Sequence, residues 1–165
     1  MNLYGYGAGD PINNSDPFGL CKEKDVNCKY LVTALRQQGG SAFTAAAQRY
    51  DDLSKGVVSF IANSQQSAWN QSRGVRGMYD KETENVWLVG ESSRADFLLT
   101  AVHESLHMGG IGEDDPALAQ GVYKAYMQMS AEDRASASWT KRWLQQLGKV
   151  EADKNSNDTS ETKSP

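Results

Sequence analysis

The stretch RADFLLTAVHESLHMGGIGE, Arg94 to Glu113, contains both histidines of the 165-residue chain. They stand four residues apart, His103 and His107, with Glu104 directly after the first. The apolar spacing predicts a helix over about 94–108. Ala95, Leu98, Leu99, Val102 and Leu106 share one arc of the helical wheel, and Ser92 or Ser93 supplies the cap. His103 and His107 fall side by side at the edge of that arc, because residues four apart on a helix are neighbours. Two imidazoles so placed can converge on one ion, and zinc takes imidazole nitrogen at about 2.0–2.1 Å in near-tetrahedral geometry. Glu104 projects further round the helix, where it can act on a water beside the metal without ligating the ion. That is the mechanical content of H-E-x-x-H. The competing reading is two core-edge histidines with structural hydrogen bonds and a surface glutamate.

Two nitrogens do not complete a catalytic site, which usually has three protein ligands and one open position. With no further histidine, the third ligand is expected to be a carboxylate or a cysteine. Glu113 is the favoured candidate, because the glycines of GGIG let the chain leave the helix sharply and fold back. Asp114 and the more distant Glu132 stay open, while Asp115, just before Pro116, has a structural role as a helix cap.

Outward from this segment, the pattern predicts an α+β domain. Helices are expected at about 28–38 and 41–54, the second with Ser41 as cap, followed by a buried strand VVSFIA at 57–62. A hairpin is expected over about 74–90, with strands GVRGMYD and NVWLVG around the turn DKETEN. Beyond the histidine helix come a helix at about 116–129 and a last one from about 130 to 147, where Trp139, Trp143, Leu144 and Leu147 supply apolar contact. Three zones result: a turn-rich 1–20, a globular 21–148, and a polar tail, 149–165, expected to be disordered.

The net charge of −4, with scattered lysines and arginines, gives no basic field for nucleic acid. No apolar run approaches the roughly 20 residues of a membrane helix, and the first twenty residues lack the apolar core of a signal peptide. Cys21 and Cys28 enclose a short lysine-rich loop; two cysteines alone do not establish a disulfide, and free thiols are the expected state.

Two resemblances add to this reading. HESLHMGGIGE, 103–113, resembles the metzincin signature H-E-x-x-H-x-x-G-x-x-H, with Gly110 at the glycine position and Glu113 where the third histidine would stand. Some snapalysin-like members carry an acidic residue there. The resemblance implies a zincin fold: a small twisted sheet above the active-site helix, with an edge strand, here NVWLV (85–89), that pairs with extended substrate. It also implies a methionine turn, for which Met127 or Met129 stands as candidate against a core role. Tyr123 or Tyr126 would stabilise the oxyanion, with core packing as the competing role.

The segment NLYGYGAGDPINNSDPFGL, 2–20, resembles the end of the RHS (YD-repeat) core, on Asn2, Leu3, Tyr4, Tyr6, Pro11, Asp16, Pro17, Gly19 and Leu20. That resemblance implies self-cleavage after Leu20, with the rest of the cleavage site in the shell, and residues 21–165 released as a toxin. It further implies delivery by a specialised secretion route and a cognate immunity protein. Together these readings give a zinc-dependent peptidase toxin, with His103, His107 and Glu113 on zinc and Glu104 as general base. The alternatives are a zinc amidase acting on peptidoglycan peptides and a non-enzymatic binding module.

Overall fold

The computed structural model describes residues 21–90 and 92–151. The 1–20 segment and residues 152–165 of the tail lie outside them.

The first helix, α1 (Val26–Gln38), starts at Asp25, whose carboxylate accepts from the Cys28 amide at 3.0 Å and from the Val58 amide at 2.9 Å. One side chain thus caps the helix and ties it to the sheet. The Cys21 amide donates to the buried carboxylate of Asp51 at 2.9 Å. This brings Cys21 and Cys28 to a Cα separation of 5.9 Å, within disulfide reach, and they are bonded. The expectation of free thiols is corrected: the fold, rather than the spacing alone, brings the two sulfurs together.

Helix α2 (Ser41–Asp51) is shorter than expected at its C-terminal end. Asp51 turns inward to the Cys21 amide and to Arg36, 2.9 Å away, and the helix stops there. Ser41 is not its cap. Gly40 holds that position, and Gln128 accepts from the Ala42 amide at 3.0 Å, so the missing cap is supplied from a later helix.

Strands β1 (Val58–Ile61), β2 (Gly77–Tyr79) and β3 (Val86–Val89) form one sheet in the order β1-β3-β2. β1 runs parallel to β3, with Val58 opposite Val86, and β2 runs antiparallel to β3, with Met78 opposite Trp87. The predicted hairpin is present, its turn held by Asp80, which accepts from the Glu82 amide and the Thr83 hydroxyl at 2.9 and 2.7 Å. The predicted edge strand is not at the edge. NVWLV is central, because its Val86, Leu88 and Val89 are buried between two neighbours, and β2 takes the edge. A short helix between β1 and β2, α3 (Ala68–Ser72), capped by Ser67, had no counterpart in the sequence reading.

Helix α4 (Arg94–Met108) has the predicted bounds and is capped by Ser93. It is more deeply enclosed than an amphipathic surface helix: Asp96, Thr100, Glu104 and Ser105 are buried along with Ala95, Leu98, Leu99 and Val102. The Tyr50 hydroxyl donates to the Ala101 carbonyl at 2.7 Å, anchoring α2 to it. Helix α5 (Pro116–Gln128) opens on Asp115, which accepts from the Ala117 amide at 2.9 Å.

The predicted last helix is two: α6 (Ala131–Ser136) and α7 (Ser138–Gln146), broken at the fully buried Ala137. The cause is Asp96 of α4, whose carboxylate accepts from the Trp139 amide (3.1 Å), the Thr140 amide (2.9 Å) and the Thr140 hydroxyl (2.8 Å). It satisfies donors that open α7, so a second helix begins there. The result is an α+β domain with its core between the sheet, α1, α2, α4 and α5. Residues Lys149–Glu151 fold back: the Lys149 amide donates to Leu144, Val150 packs on the core, and Gln145 donates to Glu151. Among the described residues, no helix is long and apolar enough to cross a membrane.

Candidate metal centre

Helix α4 ends at Met108, and the chain turns at Gly110, whose φ of +86° belongs to the left-handed region that glycine adopts without strain. The turn returns Glu113 to the helix. Its Oε2 lies 2.9 Å from His107 Nε2 and 3.5 Å from His103 Nε2. One ligand atom from each of the three residues falls within a 4.8 Å group. Two ligands about 2.0–2.1 Å from a tetrahedral ion lie about 3.3 Å apart. The two distances to Glu113 bracket that spacing, and the two imidazoles with one carboxylate are the donor chemistry that zinc takes.

The histidine rings are oriented by their surroundings. His107 Nδ1 donates to the Ile111 carbonyl at 2.7 Å, so Nε2, the atom facing Glu113, offers its lone pair once its proton is displaced. The His103 ring packs against Trp143, centroids 5.3 Å apart, and against His107 at 4.9 Å. In the metal-free protein the Glu113 carboxylate raises His107 to about 9. The two imidazoles in turn hold Glu113 well below the usual carboxylate range.

Glu104 is 5% exposed, which excludes the surface glutamate of the competing reading. Burial pushes its carboxyl above the usual range, opposed by the two histidines and by a hydrogen bond from the Tyr79 backbone. Tyr79 is on the edge strand. The Val89 amide donates to the Arg76 carbonyl and the Asp80 amide to the Asn85 carbonyl, so Arg76 and Asp80 face β3. By antiparallel alternation, Gly77 and Tyr79 turn their backbone groups the other way, toward Glu104. Gly77 allows the close approach: a Cβ there would stand 2.9 Å from Glu104 Oε1.

These parts border a cavity of about 580 Å3. The segment 73–81 forms one wall, α4 and the Gly110–Glu113 turn the floor, and Trp139 and Trp143, stacked at 6.5 Å, the other wall. His103, Glu104, His107 and Glu113 all line it. Asp114 and Glu132, the other carboxylates considered for the metal, are exposed and not in the group. Met127 is exposed on α5, Met129 is buried in the core, and neither lines the cavity. Tyr123 and Tyr126 pack on or in the core, away from the lining, whereas Tyr79 lines the cavity and bonds Glu104 through its backbone.

Tyr79, Arg76 and the role of the tryptophans were not found from sequence. Trp139 and Trp143 read as apolar contacts of a helix, and their i, i+4 spacing was the one available signal that they share a face. No protein-family model, curated protein or solved structure matches this chain.

Proposed function

We propose that this domain is a zinc-dependent metallopeptidase. One observation carries the reading: Nε2 of His103 and of His107 and a carboxylate oxygen of Glu113 converge beside a cavity, with the buried Glu104 next to them. Bound there, zinc would polarise the scissile carbonyl and acidify the attacking water. Glu104 takes the proton from that water as it attacks and delivers it to the leaving amine. An extended peptide lies along the outward edge of β2, pairing with the backbone of Gly77 and the carbonyl of Tyr79, whose amide is kept by Glu104, and its scissile bond reaches the floor of the cavity. An edge strand over an active-site helix is also what a zincin-like arrangement requires.

The biological reading rests on the resemblance of residues 2–20 to the end of an RHS core. In it, the shell cuts after Leu20 and releases residues 21–165 as an effector in interbacterial competition. The effector is secreted by a specialised system into the target cell's cytoplasm, where it hydrolyses a protein. A cognate immunity protein protects the producer.

Metal analysis of the purified chain after dialysis should find about one zinc per molecule, lost in His103→Ala. Expression of the chain and of Glu104→Gln in a sensitive cell, with sequencing of new protein N-termini, tests the reaction. New termini confined to the wild type support the peptidase. Equal sets from both defeat it, and cleavage of cell-wall peptides instead would identify an amidase.

A further inference from the structure

Three cations line the cavity, Arg73, Arg76 and Lys81, in a chain whose net charge is −4. The carboxylates in the lining are Glu104 and Glu113, and both are engaged with the histidine cluster. Among the described residues, no ion pair joins any of the three cations to a carboxylate. Arg73 is held in place by the Trp69 ring, 4.2 Å beneath its guanidinium, a contact that leaves its charge uncancelled. Arg76 is half-buried, and its Nε is buried with no hydrogen-bond partner. A buried donor without a partner is costly in a folded protein, and Arg76 carries its charge in the lining of the cavity, where an acceptor could meet the rest of the guanidinium.

Position gives that acceptor a class. Arg76 directly precedes Gly77, the first residue of the edge strand, and Lys81 follows two residues after Tyr79, its last. A peptide along β2 passes both. The facing wall, Trp139 and Trp143, carries no charge to oppose these cations. We infer that the site selects peptides bearing a carboxylate close to the scissile bond, recognised chiefly by Arg76 and reinforced by Arg73 and Lys81. An acidic side chain and a free C-terminal carboxylate offer the same chemistry. The inference rests on the peptidase reading, but its signature is binding, which separates the two.

The test uses the full chain carrying Glu104→Gln and three labelled peptide libraries with randomised neutral flanks. One has a central Glu and an amidated C-terminus, one a central Gln and a free carboxylate, and one a central Gln and an amidated end. Fluorescence anisotropy should show the first or the second binding about tenfold more tightly than the third, the scale of one charge-assisted hydrogen bond. That advantage should shrink as salt rises. Adding Arg76→Gln should remove most of the advantage, and Arg76→Lys should keep part of it. If Arg76→Gln does not fold, the Arg73→Gln, Lys81→Gln double variant should remove the smaller part of the advantage, and an advantage it leaves unchanged overturns the reinforcement assigned to those two cations. Equal binding of all three libraries, or an equal loss for all three in the arginine variant, overturns the inference. A wild-type chain that cuts none of the peptides its Glu104→Gln form binds would remove the peptidase and leave the selectivity standing.

Discussion

Gly77 on β2 and Glu104 on α4 are separated by so little that a Cβ on the glycine would meet the carboxylate at 2.9 Å, and Thr100 Cγ2 at the same distance. The strand lies over the helix because residue 77 has no side chain. Gly77→Ala should lift β2 from α4, costing about 1–3 kcal/mol in denaturant unfolding. Peptide cleavage should fall at least about tenfold, since the Tyr79 amide moves away from the base. Wild-type stability and turnover in this variant would show that the gap has slack.

Glu104 is a buried acid whose folded-state pKa lies above its unfolded value, so its ionisation opposes folding. In the metal-free protein, Glu104→Gln should raise the melting temperature. The sign is fixed by linkage: the gain is absent in acid, where both states are protonated, and grows as pH rises past the usual carboxylate range. Peptide cleavage should fall by roughly 10²–10⁴-fold. A melting temperature that drops at neutral pH would contradict the assignment.

At His107, raised to about 9 by Glu113, a proton competes with the metal. Zinc affinity of the metal-free protein should therefore climb with pH and level off near that value. At pH 7, calorimetry in buffers of different ionisation enthalpy should count about one proton released per zinc. Binding with no proton release would mean that His107 does not ligate through Nε2.

Asp96 begins α7 from a distance. Asp96→Ala strands the amides of Trp139 and Thr140 and should cost about 2 kcal/mol or more. Hydrogen exchange should accelerate mainly over residues 137–146, and Trp143 fluorescence should shift to the red as that wall loosens. Exchange that accelerates evenly over the chain would assign Asp96 to general stability alone.

What was legible in the sequence follows from where the signals are local. The bounds of α4, the Asp115 cap, the hairpin and the place of Glu113 beside the histidines all depend on residues within a few positions of one another. The strand order does not. NVWLV reads as a strand either way, and only a parallel partner 28 residues earlier makes it central. The split of the last helix was hidden for the same reason, since the carboxylate that starts α7 lies 44 residues before Thr140. Ser41 had the right chemistry for a cap, but Gln128, 86 residues after Ala42, supplies the acceptor. The cavity walls come from two segments flanking α4 in sequence, and no periodicity announces that they meet.

The crosslink between Cys21 and Cys28 sits in the interior, its residues 3% and 1% exposed. Thiol exchange proceeds by in-line attack on a sulfur, so an attacker must reach one. A glutathione-rich compartment would therefore act on this bond only as fast as the start of α1 breathes open, and a molecule that folded under oxidising conditions would carry its staple intact into a reducing one.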